Sequence, residues 1–221
     1  MTNIRSLTLY LHEPENVAAW YQALGFSLRK RGMVQHISAG YTDLRMIPGE
    51  EGSWFHLAFH VRGECFDRVV QELQKTITLL PAYEDGRVVR EFPSWKAKSV
   101  YAHDPAGNIV EWITRPAKEW QNLPKPLPDI VGVAEIGIPV AHTNFALEKA
   151  TNFLPTWDQF GDGSAALGSE EGLILMVPNG RAWLPTSRPA EFHPCSGTLE
   201  HEGKRIFFNT LNGQIQWSYS V

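Results

Sequence analysis

The chain has 221 residues, 43% hydrophobic and 20% charged, close to the averages of globular proteins, which excludes a disordered or fibrous chain and leaves room for one large domain or two small ones. A formal charge of -4 without a lysine-arginine run gives nucleic-acid binding little electrostatic support. Cys65 and Cys195 stand far apart without CxxC spacing, as reduced thiols of a cytoplasmic protein do, and the apolar run Leu7 to Leu11 is too short for a signal-peptide core or a membrane span.

Ser6 to Leu11 alternates apolar and polar residues with the period of a half-buried strand. A helix follows, opened by Pro14, striped by Val17, Trp20, Tyr21 and Leu24 and stopped at Gly25. Thr42 to Pro48 closes this first unit as a strand. His56 to Val61 repeats the opening alternation, and Phe66, Val69, Val70 and Leu73 form the stripe of a second helix. Ser99 to His103, the turn Asp104-Pro105-Ala106-Gly107-Asn108 and Ile109 to Thr114 read as a tight hairpin. Residues 118–129 carry three prolines and no periodicity, so they read as a linker. Beyond it, Glu135 to Val140 opens a third unit, with a helix capped by Thr143 or Asn144 and running to about Leu154. Phe192 to Val221 holds only strand-like pieces, with Asn212-Gly213 as a hairpin signal. The predicted architecture is α+β: tandem βαβββ modules in two domains, 1–117 and 130–221, with cupped mixed sheets and a truncated last module.

Two stretches carry a family resemblance: Phe55-His56-Leu57-Ala58-Phe59-His60-Val61, and Tyr101-Ala102-His103-Asp104-Pro105-Ala106-Gly107-Asn108-Ile109-Val110-Glu111. In this order within one unit they resemble the vicinal oxygen chelate superfamily, which includes glyoxalase I, extradiol dioxygenases and the fosfomycin- and bleomycin-resistance proteins. The resemblance implies paired modules curling into glyoxalase-like cups, and it places His56 and Glu111 on the positions that hold a divalent metal, Fe, Mn, Ni or Zn. Strand alternation is consistent with this, since Leu57, Phe59 and Val61 would face the helices while His56, Ala58 and His60 face away. Glu111, between Ile109 and Ile113, would be costly to bury without a cation or several donors.

The first unit departs from the pattern, with Ser6 on the histidine position and Arg45 where a carboxylate could sit. Arg45 is therefore also a rival partner for Glu111, and that pairing would need no metal. His60 lies about 13 Å along the strand from His56, too far to share an ion. If Asp104 pairs with Asn108 across the turn, Tyr101 faces Glu111, and His103 lies diagonal to it at about 7 Å. Tyr101 and His103 are accordingly the expected proton-handling residues, with Ser6, Thr8, Tyr10, Arg45, His60 and Trp95 as expected substrate contacts. Glu135 holds the repeat position of His56 in the second domain, but Leu173 to Val177 offers no carboxylate, so that domain reads as degenerate. The turn-rich stretch Pro178 to Thr186 reads as cover for a sheet edge or as a recognition loop.

The function implied is a metal-dependent dioxygenase, lyase or isomerase acting on a small molecule with adjacent oxygens, the metal serving as Lewis acid. The alternative is a metal-free, non-catalytic binder of drug-like aromatic molecules. The partners expected are a small-molecule substrate and a second copy in a homodimer, with neither nucleic acid nor membrane.

Overall fold

The alternation over residues 2–11 produces strand β1 (Thr2–Leu11), whose Ile4, Leu7, Leu9 and Leu11 are fully buried. Pro14 starts helix α1 (Pro14–Ala23), which buries Val17, Ala18 and Tyr21 and gives way to Gly25 at φ +90°. Strands β2 (Ser27–Arg31), β3 (Val34–Ala39) and β4 (Thr42–Pro48) complete the first module. The second runs β5 (His56–Val61), α2 (Phe66–Thr76), β6 (Arg90–Phe92), β7 (Ala97–His103) and β8 (Ile109–Thr114). The third runs β9 (Ile130–Val140), α3 (Thr143–Ala150), β10 (Thr156–Gln159), β11 (Ala165–Ser169) and β12 (Gly172–Pro178). Strands β13 (Cys195–His201), β14 (Lys204–Leu211) and β15 (Gln214–Tyr219) form the helix-less last module, and Asn212 and Gly213 both take positive φ in the turn between β14 and β15, as a tight hairpin requires. This computed structural model describes residues 1–115 and 129–219; the predicted linker over 118–129 therefore lies, apart from Asp129, outside the described residues.

The tandem βαβββ, α+β architecture with a truncated last module is present. The third helix is shorter than predicted. It ends at Ala150, begins after His142 without a side-chain cap, and buries only Ala150, so little packing extends it toward Leu154.

The modules pair in a nested order. Strand β5 runs antiparallel to β9, giving the strand order β6-β7-β8-β5-β9-β12-β11-β10, whereas β1 runs antiparallel to β13, giving β2-β3-β4-β1-β13-β14-β15. The expected grouping of residues 1–117 around one cup is thus not the hydrogen-bonded pairing. The second module pairs with the third and the first with the fourth, because the core faces of β5 and β9 fit each other through the pairs Leu57–Ile136 and Phe59–Val133. The halves are fastened together: Thr42 Oγ1 donates to the Ile4 carbonyl at 2.6 Å and accepts from the Val133 amide at 2.9 Å.

One large core lies under both halves. Tyr21 of α1 meets Phe59 of β5 with ring centroids 5.7 Å apart, and Phe59 meets Trp112 of β8 at 6.3 Å. Burying each such side chain contributes about 1.5–3 kcal/mol, so the first module's helix is bound to the second module's sheet.

Candidate functional site

The turn word Asp104-Pro105-Ala106-Gly107-Asn108 acts first as a clamp. Asp104 Oδ1 accepts from the amides of Ala106 and Asn108, both at 3.0 Å, and its Oδ2 accepts from Asn108 Nδ2 at 2.7 Å. Asn108 Oδ1 in turn accepts the Phe55 amide at 2.7 Å, and the Ile109 amide donates to the Phe55 carbonyl at 2.8 Å. These bonds fix the residue before His56 against the residue after the turn and set the parallel register His56–Ile109 and Ala58–Glu111. The hairpin register is the one expected, with Tyr101 opposite Glu111 and His103 opposite Ile109.

Strand alternation sends Leu57, Phe59, Val61, Val110 and Trp112 into the core and leaves His56 and Glu111 on the other face. There His56 Nε2 stands 3.4 Å from Glu111 Oε2. A third group joins them across the β5–β9 pairing, where the register slips between Ala58–Glu135 and Phe59–Val133. This bulge at Ala134 lets Val133 and Ile136 both enter the core while Glu135 turns to the opposite side. One ligand atom from each of His56, Glu111 and Glu135 lies within 4.8 Å of the others. The residues are 5%, 3% and 2% exposed. On the repeat, Leu175 of β12 stands where Glu111 stands in β8, so the third module contributes an acid from its first strand and an apolar wall from its last.

Arg115, at the end of β8, is 2% exposed and forms an ion pair with Glu135 through Nη2. Its Nη1 donates to the Glu170 carbonyl at 2.9 Å, and its guanidinium lies 5.3 Å from the ring centre of Trp95 and 5.7 Å from that of Trp157. Burial pulls the Arg115 pKa down to about 10 despite the neighbouring acids, so it remains a cation at neutral pH. Tyr101, 1% exposed, has its phenol pushed well above 10, first by burial and then by the Glu111 carboxylate. It is therefore a protonated group beside the acid.

His56, Tyr101, Glu111 and Glu135 line a cavity of about 170 Å³ walled by Phe92, Trp95, Phe160, Leu175, Met176 and Trp183, with Arg115 behind Glu135. Trp183, from the segment between β12 and β13, stacks on His56 at 4.8 Å and 24°. It also requires Gly137, because a Cβ there would come within 2.4 Å of the indole. The segment is folded on itself by the Ala190–Arg181 and Trp183–Arg188 backbone bonds, and Arg188 Nη1 donates to the Gly107 carbonyl at 2.6 Å. The stretch Pro178 to Thr186 thus covers the cavity as well as the sheet.

Several expected residues lie elsewhere. Arg45 does not reach Glu111; it pairs with Asp43 at 2.7 Å on β4, in the other half. Ser6 bonds Thr198 at 2.8 Å, and Ser6, Thr8 and Tyr10 stay with β13 and β4, because β1 pairs with those strands and not with β5. His103 keeps its register but is exposed beside the turn, outside the cavity lining. His60 is fully buried and outside the cavity lining, and burial together with the Arg115 charge drives its pKa well below 6.5. Trp95 does line the cavity, its Nε1 donating to Asp158 at 2.7 Å. Sequence reasoning placed Glu135 on the position of His56 yet set it aside with its module. Arg115 carried no sequence signal.

The donor set fits a divalent ion. One imidazole and two carboxylates suit Fe, Mn, Ni or Zn, and two donors each ~2.1 Å from one ion at tetrahedral angles stand about 3.4 Å apart, the separation found for His56 and Glu111.

The sequence matches no protein-family model and no curated protein. Solved structures do match over nearly the whole chain. A Bacillus subtilis protein provisionally called a dioxygenase is 15% identical, with 98% of this chain and 84% of that one covered and a TM-score of 0.59. A glyoxalase I variant of maize (Zea mays) is 11% identical, with 99% and 93% covered and a TM-score of 0.55. This chain shares the fold of these two solved structures, built from three βαβββ modules and a last one reduced to the three strands β13, β14 and β15.

Proposed function

We propose that the cavity between the second and third modules is the active site of a metal-dependent enzyme of the glyoxalase or dioxygenase type, acting on a small molecule with adjacent oxygens. The observation that carries this reading is the convergence of His56, Glu111 and Glu135 in an aromatic-walled cavity. These three residues would hold the ion. When bound, a divalent metal supplies Lewis-acid stabilisation of negative charge developing on substrate oxygens.

The remaining work belongs to the chain's own side chains. Tyr101 keeps its proton on Oη at neutral pH beside Glu111, where it can donate a hydrogen bond to an oxygen atom held in the cavity. Trp183 fixes the plane of the His56 ring and excludes water from one side of it. Trp95, Phe92 and Met176 offer flat apolar walls to the body of a substrate, and Arg181, tied to Asp162 at 2.6 Å, stands at the lining's polar edge.

The Arg115–Glu135 pair favours a second reading, a metal-free binder of aromatic molecules in which Arg115 neutralises the buried acid. Metal analysis of protein purified without chelator, compared with His56→Ala, separates the two. The enzyme reading expects about one equivalent of a transition metal in the wild type and at least a tenfold weaker affinity in the variant. Equal metal content in both proteins, or none in either after reconstitution with Mn²⁺, Fe²⁺, Ni²⁺ and Zn²⁺, rejects it.

A further inference from the structure

The site contains its own cation. Glu111 and Glu135 are both buried, and two such carboxylates close together repel each other strongly outside water. Arg115 relieves this by pairing with Glu135. It is held there by the Glu170 carbonyl and by a corner of two indoles, Trp95 and Trp157, which meet edge to face at 4.3 Å. A guanidinium between aromatic faces and a carboxylate keeps favourable contacts even if the carboxylate turns away.

Resting on the metal reading above, the geometry points to Arg115 as a resident competitor for the metal: it occupies Glu135 and so sets how tightly the site holds an ion. Two consequences follow from the charges. A divalent ion entering between Glu111 and Glu135 must share Glu135 with a guanidinium of the same sign, so Arg115 weakens metal binding. The metal-free protein, in turn, stays folded because Arg115 compensates an acid that would otherwise be buried alone. Arg115 is thus a positioning residue acting through Glu135. A purely structural arginine would alter stability and leave metal affinity where it was, and an arginine that merely orients Glu135 as a ligand would raise affinity.

The test is titration of Mn²⁺ into chelator-treated full-length protein by calorimetry, with thermal unfolding recorded with and without Mn²⁺. Arg115→Gln should bind Mn²⁺ more tightly than wild type by about tenfold, the lower end of changes produced by partners of metal ligands. It should also unfold at lower temperature without metal and gain more than wild type when Mn²⁺ is added. Trp157→Leu, which loosens the guanidinium without removing it, should shift affinity the same way by a smaller factor, and it decides the question if Arg115→Gln does not fold. Mn²⁺ binding by wild type with equal or weaker binding by the variants overturns this inference alone. Binding by Arg115→Gln but not by wild type supports it, and binding by none of the proteins overturns it together with the metal reading.

Discussion

The two cups are built from the same module, and they differ at equivalent positions. In the half formed by the second and third modules, His56 and Glu111 stand at the start of β5 and two residues into its partner β8. In the half formed by the first and fourth, the same register places Ser6 and Arg45 there, opposite Asp43 and Thr8. The first arrangement gathers acids and an imidazole that only a cation can satisfy. The second satisfies itself, with Ser6 bonded to Thr198 and Arg45 and His36 both bonded to Asp43, each at 3.0 Å or less. Cover differs as well. Residues 179–194 lie over the β5–β9 face, whereas β14, in the other half of the same continuous sheet, leaves Phe207 and Leu211 38% and 58% exposed. Both central strand pairings carry a register shift, at Arg5 and at Ala134, so it is the added loop and the buried acids that make a charged cavity of one half and leave the other an open face.

The clamp at the turn between β7 and β8 is the largest local difference, and breaking it should have the largest effect. The first module joins β3 to β4 through Gly40 and Tyr41, with no such side-chain network. Asn108→Ala leaves the Phe55 amide without its buried partner and Asp104 Oδ2 with only the Tyr21 hydroxyl at 3.5 Å. An orphaned buried group costs about 1–3 kcal/mol, so the variant should lose about 3 kcal/mol in denaturant unfolding. Metal affinity should fall with it, since the clamp sets the register of His56. A loss below about 1 kcal/mol would show that the strands hold this register without the turn.

The same clamp gives the closed half a pH response opposite in sign to that of the open half. Burial raises Asp104 from 3.8 to about 6, against the pull of hydrogen bonds from Asn108, Ala106 and Tyr21. Because the folded pKa lies above the unfolded one, Asp104 contributes stability that is fully present below pH 3.8 and is lost as pH rises through about 6. The shift amounts to at most about 3 kcal/mol. Asp43, in the open half, behaves in reverse: burial raises its pKa, but hydrogen bonds from Arg45 and His36 prevail and hold it below 3.8. Its contribution is present at neutral pH and disappears as the solution is acidified below that range. Unfolding of wild type minus Asp104→Asn, followed from pH 4 to pH 7, should therefore decline by up to about 3 kcal/mol, with a carboxyl resonance titrating near 6. A flat difference would place the Asp104 pKa near its ordinary value.

What could be read from the chain, and what could not, divides along the range of the forces involved. Strand period, helix stripes and turn residues are local, and they located β1, β5, β9, both long helices and the register of the β7–β8 hairpin, including Tyr101 opposite Glu111. Module pairing is not local. Nothing in the alternation of β5 says whether β1 or β9 will lie beside it, so Arg45, Ser6, Thr8 and Tyr10 were expected around a site from which the nested pairing removes them. Glu135 stood on the right repeat position, and the alternation of Ile136, Ile138 and Val140 already turns it from the core; what alternation does not reveal is the β5–β9 pairing that brings it beside His56 and Glu111. Arg115 and Trp183 reach the site from a strand end and a long connection, where periodicity carries no information.

Arg45 offers the smallest and most discriminating effect. From the sequence it was the rival that would neutralise Glu111 without a metal, and in the structure its Nε lies 2.7 Å from Asp43 with the side chain 43% exposed. An exposed pair of this kind is worth about 0.2–1 kcal/mol, so Arg45→Ala should change unfolding stability by less than about 1 kcal/mol. Removing its hydrogen bond should also let the Asp43 pKa rise toward its ordinary value, while Mn²⁺ affinity stays at the wild-type level. Arg115→Gln differs from it in one respect that matters here, since both remove a guanidinium bonded to a carboxylate but only one of those carboxylates belongs to the His56 cluster. A change in metal affinity in Arg45→Ala would mean that the halves communicate through the Thr42 bridge to β9, and the separation of roles between the two cups would have to be abandoned.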